Sequence, residues 1–333
     1  MPARPDLAPP RRRSPLVRWG AGMVAVMALA ALAAPLAAPH DPVAMIDPPA
    51  ARHRPPGTRL YAVHLDDGKW LLADEVDVRE GDVRLRQRRV WREVPLARIT
   101  NLVDGRISDR RLFPLGTDRL GRDLLSRILY GGQVSLLIGL LAGATALGLG
   151  LAVGGLAGMA GGWLDAVLMR AVDALLSFPR LFLLLAVAGL FTLSLGWLIL
   201  ILGATSWMGA ARLVRAEVRA ARRRGFVAAA RSAGTPPLRV LRRHLLPAAL
   251  TPVAVDTAQR IGNLILIEAA LSFLGLGVQP PRPSWGNLVA GGSHALLSAW
   301  WVTAFPGAAL AITVIGLNLL GDGLRDRLDP RRT

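Results

Sequence analysis

Apolar residues along this chain pool into long uncharged runs instead of recurring at one helix or strand period throughout. No charged residue occurs from Gln133 to Leu164, or from Leu181 to Ala211. A helix crossing a bilayer core needs about 20 apolar residues. The first run therefore holds one generous span and the second more than one. With the apolar stretches nearer the two ends, the pattern predicts six spans, at about 18–37, within 133–160, and at about 166–191, 197–213, 252–275 and 300–320. Span 3 carries Arg170 and Asp173 in its first turns and Phe178-Pro179 in its middle, and residues 192–196 read as a break before span 4. The first stretch follows Arg11 to Arg13 and ends in small residues before Pro39. That is also the outline of a cleaved signal peptide, but its length and the spans that follow favour an uncleaved helix.

Between spans 1 and 2 the pattern changes to alternation. Tyr61, Val63 and Leu65 face one way, Asp66-Asp67-Gly68 makes a turn, and Val76 and Val78 alternate with charges. Glu80-Gly81-Asp82 turns again, and Val83, Leu85, Val90, Val94 and Leu96 continue the pattern. This predicts three to five short strands joined by hairpins; a linker with chance alternation is the alternative. Residues 117–131 predict an amphipathic helix at the membrane interface, capped by Thr117 or Asp118. Leu120, Leu124, Leu125 and Ile128 share its apolar side, with Arg119, Arg122, Asp123 and Arg127 elsewhere; a plain polar lead-in to span 2 is the bland reading. Within span 2, the pairs Gly139/Gly143, Gly150/Gly154, Gly154/Gly158 and Gly158/Gly162 have the four-residue spacing that lets membrane helices approach closely.

Charge orients the spans. The chain has 333 residues, is 52% hydrophobic, and carries a net charge of +17 in which Lys69 is the only lysine. Such a balance can signal nucleic acid, but next to uncharged runs it reads as retention of arginine on the cytoplasmic side, so no nucleic-acid partner is expected. Residues 212–250 hold ten arginines and one acid, Glu217. Six spans place this loop, Arg11 to Arg13 and the basic C-terminus on one side, so both termini are expected in the cytoplasm. The strand-rich segment then lies outside. The expected fold is an all-α polytopic membrane protein of six transmembrane helices with a small extracytoplasmic β insert between spans 1 and 2. Its parts are a tail over 1–17, helix 1 over 18–37, the insert over 38–114, and a core over 115–333 that contains spans 2–6 and the loop 212–250.

Several chemistries are excluded. There is no cysteine, and the five histidines show no metal-ligand spacing. Lys69 is not preceded by a glycine-rich phosphate loop, and no nucleophile triad or carboxylate pair marks an active site. The chain is expected to be no enzyme and to need no cofactor or metal.

The loop after span 4 is the most informative segment. Helical residues from Phe226 to Ala233 end at Gly234, which suits a helix stop. Thr235 can cap a second helix with Pro236 in its first position, and Leu238, Leu241 and Leu245 recur at helical spacing up to Pro247. Two short helices joined by a sharp bend make a rigid knob, suited to docking a protein; a solvated surface loop is the alternative. In span 5, Asp256 and Arg260 are four apart and can pair on one face, with Glu268 further along. Ionisable groups inside a membrane are functional candidates, and a structural pair or a contact with a partner subunit is the competing reading.

This loop resembles the cytoplasmic coupling loop of ATP-binding-cassette importer permeases, in which Glu-Ala-Ala is followed at fixed spacing by Gly and then Leu-Pro. Ala229, Ala230, Gly234, Leu246 and Pro247 fall in register, His244 stands where the peptide branch has it, and Ala228 departs from the usual Glu. The stretch LGTDRLGRDLLSRILYGGQVSLLIG over 115–139 is similar to the dipeptide/oligopeptide branch, which also includes nickel importers. So are Arg212-Leu213-Val214-Arg215 after Trp207, EAALSFLGLGVQPPRPSWG over 268–286, and the region 299–331. The resemblance is to the second of that branch's two permeases. It implies a membrane subunit that forms a pathway with a second homologous permease, receives cargo from an extracytoplasmic binding protein, and is driven by two separate ATPases. The ATPases would dock on Phe226, Ala229, Ala230, Gly234, His244, Leu246 and Pro247. Two other classes compete. An ion-driven secondary transporter needs intramembrane acids and often inverted repeats; Asp256 and Glu268 are a thin relay, and the halves show no repeat. A membrane-anchored sensor would use the strand-rich segment, but no signalling domain accompanies it.

Overall fold

A computed structural model describes residues 15–190 and 194–328. Helices dominate. Helix α1 (Pro15–Leu32) is followed by two short helices, α2 (Ala34–Ala37) and α3 (Pro48–Ala51). Eight strands come next, namely β1 (Thr58–His64), β2 (Trp70–Ala73), β3 (Glu75–Val78), β4 (Asp82–Gln87), β5 (Val90–Pro95), β6 (Leu102–Val103), β7 (Arg106–Ile107) and β8 (Arg110–Phe113). The remainder is helical: α4 (Leu124–Ala160), α5 (Gly162–Leu176), α6 (Arg180–Leu190), α7 (Leu195–Ala204), α8 (Trp207–Arg222), α9 (Gly225–Ser232), α10 (Pro237–Val240), α11 (Leu246–Phe273), α12 (Trp285–Gly292) and α13 (Trp301–Leu328). Among the described residues, α1, α4 and most of α13 are long and apolar enough to cross a membrane, and α7 with α8 makes a fourth such span if the bent pair is counted as one. The tail with Arg11 to Arg13, part of the break over 192–196, and the last residues of the basic C-terminus lie outside the described residues.

Two expected spans are broken helices. Span 3 is divided into α5 and α6 at residues 177–179. Pro179 lacks an amide donor and biases Phe178 away from helical backbone, so the first helix stops just before it. Span 4 is divided into α7 and α8, which meet at 41°. At that break Thr205 Oγ1 donates to the Ile201 carbonyl at 2.8 Å, and Ser206 Oγ donates to the Leu202 carbonyl. Hydroxyls that back-bond in this way bend helices. Helix α8 also runs well past the expected end at Leu213, because Val214, Val218 and Ala221 give it a buried stripe opposite its arginines.

Contacts divide the chain into two units. One comprises residues 1–26, 137–267 and 312–333, and the other 27–136 and 268–311. In the first unit the glycines of α4 meet partner helices as their spacing predicts. A Cβ at Gly139 would come within 2.6 Å of Ile265, and one at Gly143 within 2.8 Å of Ile261, both on α11. Gly150 would meet Ala210 of α8 at 2.6 Å, Gly154 would meet Val214 at 2.9 Å, and Gly158 would meet Val218 at 2.9 Å. Gly162 breaks the series, since it lies beyond the end of α4 and has no neighbour within 4 Å. The same device joins α1 to α13: a Cβ on Gly316 would sit 2.9 Å from Met23, and one on Gly323 2.6 Å from Val17.

In the second unit the strands form three small sheets, β2-β1-β8, β3-β4-β5 and β6-β7, all antiparallel. The Asp66–Gly68 turn joins β1 to β2, and Glu80-Gly81 leads from β3 into β4, as the alternation predicts. Val63, Leu65, Leu71, Val83, Leu85, Val94 and Ile107 form the core, with Tyr61, Val76, Val78 and Leu96 packed against it. Eight strands replace the expected three to five. The two-residue strands β6 and β7 are too short to alternate, and β8 begins with two arginines. Arg110 and Arg111 lie over the rings of Tyr61 and Trp70, at 4.4 Å and 4.3 Å from the ring centroids.

Residues 117–131 are not one amphipathic helix. Gly121 has φ +77, and the Thr117–Asp123 segment is a turn. The helix starts at Leu124, capped by Asp123, whose Oδ2 accepts from Ser126 N at 2.7 Å. Asp118 Oδ1 instead accepts from Leu120 N at 2.8 Å and Arg122 N at 3.0 Å, and its Oδ2 accepts from Arg122 Nε at 2.7 Å. Thr117 Oγ1 accepts from Arg54 N at 2.8 Å, and Arg127 donates to the Pro42 carbonyl at 2.8 Å. These side chains tie the chain entering the strand region to the start of α4, which explains why so many charges stand in a buried turn.

Candidate functional site

The segment between α8 and α11 forms the knob that its punctuation predicts. Helix α9 ends beside Gly234, which has φ +75, and Thr235 N donates to the Ala230 carbonyl at 3.1 Å. This left-handed closure leaves open space where a Cβ would stand, so backbone conformation and not crowding reserves the position for glycine. The second helix differs from expectation in three ways. Pro236, not Thr235, occupies the cap position, and no side chain bonds there. Leu238 points outward at 52% exposure, while Leu241 and Leu245 are buried. The helix does not stop at Pro247 but passes through a π-helical turn, Leu241–Leu245, into α11. A proline in a regular helix strikes the carbonyl four residues back, and the wider turn just before Pro247 relieves that clash.

The inner side of the knob is apolar. Val227 of α9, Val240 of α10, Leu241 and Leu245 pack with Val214, Val218 and Ala221 of α8 and with Ala249 and Val253 of α11. Ala230 and Leu246 lie against this cluster. Phe226 and His244 come together with ring centroids 6.1 Å apart, so two of the expected docking residues are neighbours in space. Ala228, Ala229, Gly234 and Pro247 are exposed. The outer side shows Phe226 at 44% exposure and Leu238, accompanied by exposed Arg223, Arg224, Arg239, Arg242 and Arg243. Pro236, Leu238, Arg239, Arg242 and Arg243 line a shallow groove. An apolar patch of this kind, held on two short packed helices and rimmed by arginine, is equipped to bind a protein surface.

The charges of the expected span 5 separate into two settings. Asp256 and Arg260 pair through Arg260 Nε and Asp256 Oδ2, as their spacing predicts. Glu268 is fully buried and makes a different network. Its Oε1 accepts from Ser272 Oγ at 2.7 Å and from Ser284 Oγ at 2.9 Å, and its Oε2 accepts from Ser135 Oγ at 3.4 Å. Each serine also accepts a backbone amide: Ser272 from Val278 at 3.1 Å, Ser284 from Asn287 at 3.2 Å, and Ser135 from Trp285 at 3.1 Å. The carboxylate therefore organises α4, α11, the turn after it and the start of α12 through three hydroxyl relays. A polar network satisfied in this way fixes one packing arrangement, which is the structural reading of Glu268.

Arg170 and Asp173 are exposed, and Asp173 lies 3.8 Å from Arg212. Two residues that sequence reasoning missed are better placed. Asp165, the charge that ends the first uncharged run, accepts from Arg215 Nη2 at 2.7 Å and from Arg219, and so ties α5 to the helix that leads into the knob. Arg180, directly after Phe178-Pro179, reaches Ser206 at the break of the next helix pair. A lone charge beside a helix break was the available signal in both cases.

Residues 150–333 match the family of binding-protein-dependent transport system inner membrane components. A Brucella suis protein named as a candidate peptide transport system permease is 44% identical over 219 residues, covering 65% of this chain and 73% of that one. The di/tripeptide transport system permease protein of Pseudomonas aeruginosa is 41% identical over 219 residues, covering 66% and 72%. The oligopeptide transport system permease protein of Haemophilus influenzae is 38% identical over 216 residues, covering 65% and 70%. The punctuated knob, the bent pair α7–α8 and α13 fall within the matched residues, which make up more than half of the chain, and the chain belongs to the family of binding-protein-dependent transport system inner membrane components.

Proposed function

We propose that this chain is one permease subunit of an ATP-driven peptide importer. The observation that carries the reading is its identity of about two residues in five to permeases of peptide, di/tripeptide and oligopeptide transport systems. In this reading six spans cross the membrane, with the broken pairs α5–α6 and α7–α8 counted as one span each. Both termini and the α9–α10 knob face the cytoplasm, where arginine is retained. The strand unit over 38–114 stands outside. Long translocated domains escape the charge rule, so its own arginines are no obstacle.

The division of labour follows from chemistry. The chain has no phosphate-binding loop, so hydrolysis belongs to two ATPase subunits docked on the knob around Phe226 and Gly234. An extracytoplasmic binding protein delivers cargo, and a second homologous permease completes the pathway. Because α9 and α10 are packed onto α8 and α11, a rigid displacement of the knob by an ATPase moves the helices on either side of it. Co-expression with the second permease and the ATPases should give a complex whose ATP hydrolysis rises when peptide-loaded binding protein is added. A chain that never co-purifies with an ATPase contradicts the reading.

A further inference from the structure

Arg180 joins two helix breaks of the first unit. Arg180, at the start of α6, donates through Nη2 to Ser206 Oγ in the break between α7 and α8, and to the Leu202 carbonyl at 3.4 Å. Its Nε is buried without a partner, and among the described residues no carboxylate pairs with it. Arg260 of α11, whose positive charge acts on Arg180, is itself paired with Asp256 of its own helix. Gly209 leaves the space that Arg260 fills, since a Cβ there would stand 2.7 Å from its Nη2. Two guanidiniums and one carboxylate leave one positive charge in excess, at a place where two membrane helices are interrupted.

Arg180 is half-buried, and a cation held within membrane helices without a counter-ion is costly unless something supplies the missing charge. Broken helices are where membrane transporters build binding sites, because the interruption frees polar groups to face a cargo. A guanidinium presents parallel donors that fit a carboxylate. We propose that Arg180, assisted by Ser206 and by the Asp256-paired Arg260, forms an intramembrane site that takes the carboxylate of a passing peptide. The inference rests on the peptide-import reading and adds to it a named contact for the cargo's carboxylate along the pathway.

The natural absence of cysteine makes a direct test possible. In the assembled importer in nanodiscs, Ser206→Cys is exposed separately to anionic and cationic methanethiosulfonates, each rate being normalised to that with a small free thiol. The anionic reagent should react roughly tenfold faster or more, the enrichment a charged cleft produces, and adding Arg180→Gln should abolish the preference. Equal rates, a cationic preference, or no reaction with either reagent overturns the site. In proteoliposomes bearing the same complex, Arg180→Gln should slow uptake of a pool of di- and tripeptides with free carboxyl termini by about tenfold, the scale of one charged hydrogen bond. Arg180→Lys, which keeps the charge without the fork, should recover part of that uptake. Wild-type uptake in R180Q, or equal loss in both variants, overturns the carboxylate assignment. A wild-type complex that takes up no peptide sinks the import reading instead, while the reagent preference still reports on the site.

Discussion

Ser284 Oγ donates to Glu268 Oε1 at 2.9 Å while accepting the amide of Asn287, and Asn287 Oδ1 accepts in turn from Ser284 N at 3.0 Å. One hydroxyl thus serves both as the cap of α12 and as a ligand of a buried carboxylate on α11. Helix start and network are therefore coupled, and removing the carboxylate releases three serines at once.

Glu268→Ala should destabilise the detergent-purified importer by roughly 3 kcal/mol, since it strands several buried donors. Ser284→Ala removes one donor and one cap and should cost about 1–2 kcal/mol. Thermal unfolding followed by tryptophan fluorescence ranks the two. If both variants unfold with the wild type, Glu268 does not organise this region.

The glycines of α4 permit a matched comparison. Gly154 faces Val214 at 2.9 Å and Gly148 faces nothing within 4 Å. Gly154→Ala should cost about 1–3 kcal/mol through overpacking. Gly148→Ala should be neutral or gain up to about 1 kcal/mol from helix propensity. Equal thermal stability of the two variants would contradict the packing of α4 against α8.

Gly234→Val places a β-branched residue at φ +75, a strain of about 1–3 kcal/mol at the stop of α9. No side chain crowds the position, so assembly of the bundle should survive while the outer face of the knob shifts. ATP hydrolysis by the complex should lose its stimulation by loaded binding protein, and transport should fall with it. Normal stimulation and normal uptake would show that the knob does not couple the two.

Orientation is tested with single cysteines at Asp67 and Glu80, both exposed and both beside turns of the strand unit. In cells with a permeabilised outer membrane, a membrane-impermeant thiol reagent should label both without lysis. Labelling only after lysis would place the strand unit in the cytoplasm and invert every assignment of side.

Much of this architecture was legible where one physical signal dominated. The uncharged runs located α4 and the bent pair α7–α8, both long and apolar enough to cross a membrane, Gly234 marked the stop of α9, and Asp66-Asp67-Gly68 marked the first hairpin. The reading failed where two signals competed. Apolar spacing in 117–131 suggested a helix, but Gly121 and the buried bonds of Asp118 and Thr117 made a turn. The uncharged run hid the break at Thr205-Ser206, because two hydroxyl residues bonding back to carbonyls interrupt a helix without adding a charge. Leu238 shared helical spacing with Leu241 and Leu245 yet faces outward, because spacing alone does not say where a short helix begins. Asp256 and Arg260 were correctly paired from sequence, but the unpaired Arg180 opposite them depends on a contact between segments 26 residues apart.

The central claim is that this chain moves solute only as part of an ATP-driven assembly. Proteoliposomes containing the chain alone under an imposed ion gradient are compared with proteoliposomes containing the chain, the second permease, the ATPases, ATP and the loaded binding protein. The account predicts peptide accumulation in the second preparation, dependent on ATP, and none in the first. Accumulation by the chain alone, driven by the ion gradient, would contradict it.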